Sequence, residues 1–330
     1  MNIAFIISEK LGMVQYNGIR IQAETWAKEL ERQGHAVTLV NPWIPPRWES
    51  FDVVHIFGYC ESLHSLELLQ ETNVVFSPII DTKQPVWKYK WITHWGLPQL
   101  RLQSPNNVLR EASRYIKCWY VRSHHEYQYV YKAYGIPQEK ISIIPLSYRL
   151  CSENFEVNRG NFCLHVSKLT DTRKNVMRLI DAAIKYEFPL ILAGSIESEI
   201  AFKPFKDKIS QHSNIKYLGK ISNERLLSLY KSAKVFALPS INEGVGMVAI
   251  EAAACGCEIV VTNVGGPKEY YNGMAFEVDP LSIDSIGKAV VSALYAESFQ
   301  PKLQAYVKKE FSQEKCVMDL VETYKKLNKD

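Results

Sequence analysis

Two doubly wound α/β domains are predicted for this chain, on three observations. Short apolar runs rich in β-formers alternate with helical periodicities over the first 150 residues. The same rhythm restarts after residue 157, beyond a polar stretch at 152–160, SENFEVNRG, that reads as a linker. A length of 330 residues also suits two medium domains better than one. Strands alternating with helices imply parallel sheets joined by right-handed crossovers. The predicted division is 1–152, then 158–308, then a terminal helical region over 309–330.

Each element has its own signal. Residues 2–7 are a continuous apolar run, as expected of a parallel strand buried on both faces. Gly12 and Gly18 break it. Ile19, Ala23, Trp26, Ala27 and Leu30 then recur at i, i+3 and i+4, predicting a helix from about Ile19 to Gln33. Gly34 is placed to cap its C-terminus. Strands follow at 36–40 and 53–57. In the second half, strands are predicted at 161–166, 189–193, 215–218, 235–238 and 258–262. Helices are predicted between them at 176–186, 223–232 and 248–255. The end of the chain places Phe311, Val317, Leu320, Val321 and Tyr324 on one face of a helix.

Composition excludes several classes. With 47% apolar and 22% charged residues, the chain is neither low-complexity nor depleted in core formers. Seven scattered cysteines, with no CxxC pair, argue against a disulfide framework or a zinc site and for free thiols in a reducing compartment. The N-terminal apolar stretch is about six residues long and has no basic residues before it, unlike a secretory leader. No apolar run approaches the ~20 residues that span a bilayer. The expectation is a cytoplasmic protein, peripheral to a membrane at most. The net charge of +4 says little about partners, but its distribution is uneven. Between Lys83 and Arg122 there are eight Lys and Arg residues against one acid, Glu111, and all seven tryptophans precede residue 120.

The most informative stretch is 237–256, ALPSINEGVGMVAIEAAACG. A strand runs into Pro239-Ser240, a loop carries Glu243, and Gly244 and Gly246 precede a helix containing Glu251. Glycines there let backbone approach a ligand. The free N–H groups and positive end of the following helix suit a diphosphate. A helical span of eight residues would separate Glu243 from Glu251 by roughly 12 Å. One carboxylate would then reach a sugar and the other a ribose. Two glutamates eight apart are by themselves also common in ordinary helices, and the strand, the Pro-Ser and the Gly-x-Gly give them weight.

Here the chain resembles the group 1 glycosyltransferases of family 4, retaining enzymes that use nucleotide sugars. EGVGMVAIEAAACGCEIV is similar to their E-x7-E motif, and Gly265, Gly266 and Glu269 match the Gly-Gly-x-x-Glu that follows. Ser167-Lys168-Leu169, then Lys174-Asn175, is similar to the element whose two cations hold the diphosphate. YLGKIS at 217–222 resembles the loop bordering the base, and AYGIPQEKISIIP at 133–145 is also typical. Asn17-Gly18 stands before Gly34-His35 at the spacing of the family's Gly-Gly…Gly-His element.

The resemblance implies GT-B architecture, two Rossmann-like domains facing a cleft, with the last helix crossing back to the first domain. It implies a catalytic set of Glu243, Lys168 and Lys174. It further implies a donor site of Gly18, Gly219, Lys220, Gly244, Val245, Gly246, Met247, Val248 and Glu251. In that reading Lys168 and Lys174 neutralise the diphosphate, and Glu243 positions the sugar and stabilises oxocarbenium-like charge. Glu251 accepts from the ribose hydroxyls. Reaction would occur on one face of the sugar with retention, the leaving phosphate helping to deprotonate the acceptor. No metal or resident cofactor is expected. The co-substrate is a nucleotide-diphosphate sugar, most readily of UDP or GDP, and the acceptor a lipid-linked oligosaccharide or surface polysaccharide.

The chain departs from that pattern in two places. Lys168 stands where Arg is usual, keeping the charge but losing the bidentate fork. Ile80 stands where the family often has His, with Asp81 next to it. That leaves Asp81, and His55 from another strand, as candidates on the acceptor side, with a structural role the alternative for His55. The segment 85–103, PVWKYKWITHWGLPQLRLQ, has three readings: an interfacial surface for anionic lipid, aromatic platforms for sugar, or a solvated basic loop with its rings turned inward. A nicotinamide enzyme is excluded by the lack of G-x-G-x-x-G after the first strand, and no nucleic-acid-binding pattern is present. A GT-B sugar-nucleotide epimerase and a non-catalytic carbohydrate- or membrane-binding protein are the remaining alternatives.

Overall fold

A computed structural model of the chain describes residues 1–7, 18–41, 44, 46–69, 72–97, 102–150 and 159–327. Asn17, Cys151, most of the expected linker and part of the 85–103 segment lie outside the described residues. The chain divides into two compact units, Met1–Leu146 with Gln313–Asp330, and Ser147–Ser312.

The first unit is built on a parallel sheet. Its strands are β1 (Asn2–Ile7), β2 (Ala36–Leu39), β3 (Val53–Phe57), β4 (Asn73–Ser77), β7 (Cys118–Val121) and β8 (Ile141–Ile143). A short antiparallel pair, β5 (Gly96–Leu97) and β6 (Leu102–Gln103), stands apart from it. The order across the sheet is β2-β1-β3-β4-β7-β8. β1 sits inside, pairing with β2 through Ile3–Val37 and with β3 through Phe5–His55, which is why its residues are buried without alternation. The helix Gly18–Arg32 buries Ala23, Trp26, Ala27 and Leu30 as the periodicity predicts. Gly34, at φ +85, ends it, and the His35 N–H reaches back to the Leu30 carbonyl at 3.0 Å.

The terminal helix Gln313–Leu327 buries Cys316, Val317, Leu320, Val321 and Tyr324 within this same unit. The helix Val86–His94 turns Tyr89 and Thr93 inward, while Trp87, Trp91 and Trp95 face solvent. Inward packing therefore holds for Tyr89 and not for these tryptophans.

The second unit repeats the plan with β9 (Gly160–Val166), β10 (Leu190–Ala193), β11 (Ile215–Tyr217), β12 (Ala233–Leu238), β13 (Glu258–Thr262) and β14 (Phe276–Val278). Their order is β11-β10-β9-β12-β13-β14, all parallel. Helices Val176–Tyr186 and Ile283–Tyr295 bury Leu179, Ile180, Ala183, Ile286, Val290 and Leu294 against Leu190, Val235 and Val260. Serine side chains start several helices: Ser222 accepts from the Arg225 N–H, and Ser282 from the Ser285 N–H. Predicted elements in both halves match in type, with ends shifted by one or two residues. The six described cysteines are buried. No described helix is long and apolar enough to cross a membrane.

Candidate functional site

In an open parallel sheet, the loops leaving the carboxyl ends of the strands form one edge, and ligands bind there. In the second unit these loops are laced together. The Leu169 N–H donates to the Ser195 carbonyl at 2.9 Å, and the Gly194 N–H to the Gly219 carbonyl at 2.9 Å. Lys168, Gly219, Lys220, Glu243 and Gly265 thus share one edge of one unit.

The best-defined constellation joins the turn after β9 to the loop after β12. Asp171 caps a tight turn over Thr172–Lys174 by accepting from the Arg173 N–H. Asn175 then adopts a left-handed backbone, φ 59°. Its buried side-chain amide donates to the carbonyls of Pro239, at 2.9 Å, and Pro280, at 2.6 Å. The Ile241 N–H donates to the Arg173 carbonyl at 2.8 Å. These bonds fix Lys174 beside Glu243, whose Oε2 lies 2.5 Å from Lys174 Nζ and accepts from Ser240 Oγ at 3.2 Å. The Glu243 side chain is 11% exposed and Lys174 21%, so the pair is shielded but reachable.

Two glycines shape the loop around Glu243. Gly246, at φ 82°, precedes the helix Met247–Ala254, and a Cβ there would lie 2.6 Å from Leu238 Cδ2. Gly265, at φ 86°, would place a Cβ 2.5 Å from the Glu243 carbonyl oxygen. No side chain caps the helix N-terminus, so the first N–H groups, on Met247 and Val248, project from the same loop as Glu243. Gly244 and Val245 are buried beneath it. A cation, a carboxylate and an uncapped helix N-terminus are what a diphosphate-linked sugar calls for.

Other predicted residues make no direct contact with the Lys174–Glu243 pair among the described contacts. Lys168 is half-exposed and makes a loose pair with Glu197 at 3.8 Å. The helix that holds Glu251 begins only at Met247, so the wholly helical spacing assumed between the two glutamates does not hold. Glu251 is 2% exposed; Arg149 Nε donates to its Oε1 at 2.7 Å and the Tyr230 hydroxyl to its Oε2 at 3.3 Å. Burial raises its carboxyl pKa, and the Arg149 charge opposes that.

Gly18 is the exposed first residue of its helix in the first unit. Asp81, in the loop after β4, pairs at 2.9 Å with Arg122, which Glu126 also holds. His55 is the central residue of β3, not a strand end, and is fully buried. Its Nδ1 meets the Tyr324 hydroxyl at 2.6 Å and its Nε2 meets Ser77 Oγ at 2.8 Å. Burial depresses its pKa to about 3, so it is a neutral core residue out of reach of any acceptor.

Three residues near the site carry no motif signal. His165 is buried, with Nδ1 donating to the Ala237 carbonyl at 2.8 Å and Nε2 against Ser167 Oγ at 2.7 Å; burial holds its pKa down to about 4. Arg149 is an ordinary basic residue in the sequence until Glu251 faces it. Tyr271 is buried with no hydrogen-bond partner for its hydroxyl among the described residues; burial raises its pKa, and the Glu243 charge adds to that. Among the described residues, no group of three or more His, Cys, Asp or Glu could hold a metal ion.

Two Rossmann-like units, the second bearing this cation–carboxylate loop at its carboxyl edge, make up the GT-B fold of glycosyltransferases. Residues 152–313 match the family model described as Glycosyl transferases group 1, so the second unit carries that family's signature. The chain is 26% identical over 203 residues to O-antigen chain mannosyltransferase B of Escherichia coli, covering 58% of this chain and 51% of that protein. It spans about half the length of the first curated relatives it matches. Sucrose-phosphate synthase from Thermosynechococcus elongatus superposes with a TM-score of 0.75 at 16% identity, covering 99% of each chain. Anabaena HepE, solved with UDP-glucose, superposes with a TM-score of 0.70 at 16% identity, over 99% of this chain and 100% of that one.

Proposed function

We propose that the protein is a retaining hexosyltransferase that moves a sugar from a nucleotide diphosphate onto a glycan or lipid-linked acceptor. The observation that carries this reading is the Lys174–Glu243 contact at the carboxyl edge of the second unit, 2.5 Å long and beside an uncapped helix N-terminus. Lys174 has three donors and so serves Glu243 and a phosphate oxygen together. As the glycosidic bond to phosphate breaks, negative charge grows on the diphosphate and positive charge on the sugar. Lys174, Lys168 and the Met247 and Val248 N–H groups face the first charge, and Glu243 the second. Glu251, anchored by Arg149 and Tyr230, keeps carboxylate lone pairs for the ribose hydroxyls.

Retention follows if the acceptor attacks on the face the phosphate leaves, with a phosphate oxygen taking its proton. No side-chain base is then needed. The E. coli relative is named a mannosyltransferase and HepE was solved with UDP-glucose, which favours a hexose donor of GDP or UDP. Asp81, partly exposed after β4, is the remaining acceptor-side carboxylate.

Calorimetric titration of UDP, GDP, ADP and their hexose conjugates, beside Lys174→Ala, tests the donor site. One nucleotide should bind selectively and lose at least tenfold in the variant. Failure of every nucleotide to bind a folded sample would remove the transferase reading. Turnover of the nucleotide sugar without acceptor, giving its epimer, would replace it with the epimerase reading.

A further inference from the structure

We propose that the face of the first unit at the amino ends of its strands is a docking surface for anionic phospholipid bilayers. This inference does not depend on the donor-site reading. It starts from the helix Val86–His94, which is apolar on both sides. Its inner side is accounted for: Tyr89 packs edge-on against Tyr129, and Thr93 is fully buried. Its outer side carries Trp87 and, one turn on, Trp91, 73% and 65% exposed; Trp95, 54% exposed, stacks on Trp91 with ring centroids 6.4 Å apart. Three neighbouring indoles left in water mark a surface that meets something apolar.

Cations lie beside the first of these rings, Trp87. A cavity of about 630 Å³ is lined by Trp87, Lys90, Tyr131 and Lys132 together with Gly135–Pro137. A second, of about 420 Å³, shares Gly135–Pro137 and is lined by Arg110, Arg114 and Lys140. Among the described residues, no carboxylate forms an ion pair with any of these five cations. Glu111 also lines the second cavity, but its carboxylate accepts from Gln103. Trp119 lines the same cavity, fully buried, and its indole N–H has no partner among the described residues. Unpaired cations and an unsatisfied buried donor around one cavity describe a site for an anionic headgroup.

Position separates this face from the substrate edge. Gly135–Lys140 lead into β8 and Arg110–Arg114 lead towards β7, so both stretches lie at the amino ends of a parallel sheet. Ligands of such folds bind at the other edge, where Asp81 lies. A soluble phosphate would engage the cations and leave the indoles idle. A bilayer uses both, with indoles in the headgroup layer and each Lys or Arg attracted to the anionic surface.

The test is co-sedimentation of the full chain with vesicles of phosphatidylcholine alone and of phosphatidylcholine mixed with phosphatidylglycerol. Two triple variants run beside it: Trp87→Ala/Trp91→Ala/Trp95→Ala and Arg110→Gln/Arg114→Gln/Lys140→Gln. The wild type should partition onto the mixed vesicles with a blue shift of its tryptophan emission, and onto neutral vesicles far less. Each triple variant, melting like the wild type, should lose roughly tenfold or more in partitioning. A folded wild type that stays in the supernatant with mixed vesicles refutes the proposal, as does partitioning unchanged in both variants. Displacement by inorganic phosphate at constant ionic strength also overturns it, in favour of a site for a soluble anion. If either triple variant has a lowered melting point, Lys90→Gln/Lys132→Gln takes its place under the same criteria.

Discussion

The Lys174–Glu243 pair allows structure and catalysis to be separated with two substitutions. In the free protein, Lys174→Met leaves Glu243 Oε2 with the Ser240 hydroxyl, 3.2 Å away, as its one side-chain partner among the described residues. Exposed ion pairs contribute about 0–1 kcal/mol, and breaking a fully buried one costs about 3–5 kcal/mol. With side chains 21% and 11% exposed, this pair falls between those limits. Each single variant should therefore lose about 1–2 kcal/mol of stability, and the double variant less than the sum.

Ligand binding divides the two differently. Lys174→Met removes a charged hydrogen bond to the diphosphate, worth about 1.5–3 kcal/mol, or roughly 10- to 150-fold in Kd. Glu243→Gln takes a negative charge away from the diphosphate, so nucleotide affinity should hold or tighten. Turnover should nevertheless fall about 10²–10³-fold, because the carboxylate facing the developing sugar cation is gone. Calorimetry with UDP and GDP, release of nucleoside diphosphate under saturating donor, and denaturant unfolding together give all four corners of the cycle. If Glu243→Gln turns over like wild type, or Lys174→Met binds both nucleotides unchanged, the assignment of roles fails.

Three further outcomes are expected. His55 and His165 are buried and neutral, with pKa values of about 3 and about 4 in the fold against an ordinary value near 6.5; the unfolded chain binds the extra protons, so their contribution is intact above about pH 6.5 and is lost as pH falls through 6 towards 4, by about 1.4 kcal/mol per pH unit for each histidine. Denaturant midpoints that stay flat between pH 7 and 5 would contradict this. Gly246→Ala should cost about 2–4 kcal/mol, from a left-handed backbone at φ 82° and a Cβ 2.6 Å from Leu238 Cδ2, and should impair nucleotide binding; equilibrium unfolding and titration read both, and a silent substitution would remove the argument for a close-packed loop. Asp81→Asn should raise the acceptor KM several-fold while leaving nucleotide affinity and, since Glu126 still holds Arg122, stability nearly unchanged; an unaltered KM would leave Asp81 as no more than an ion-pair partner.

What could be read from the sequence followed from local physics. Strands such as 161–166 and 258–262 are apolar runs between polar or glycine breaks, and their ends matched to within a residue. The middle of the first unit was harder. β7, Cys-Trp-Tyr-Val, is four residues long amid a basic stretch, and β8 is three. Neither is long enough to show a period, and their identity as strands comes from pairing in the sheet.

The same divide runs through the site. Glu243 was legible because glycines and a strand end framed it, and Lys174 only through its likeness to the family's two-cation element. What brings them together was not, since it depends on Asn175 donating to Pro239 and Pro280, 64 and 105 residues away. His55, for which a structural role was the alternative, shows the converse. A lone histidine in an apolar strand looks the same whether it meets a substrate or a core tyrosine, and only Tyr324, 269 residues further on, decides the matter. Spacing identifies residues that act through backbone they share. It does not reveal residues that act through a partner the fold delivers: Arg149 and Tyr324 are of that second kind, and so is the task of Asn175, though its position belongs to the matched Lys174-Asn175 element.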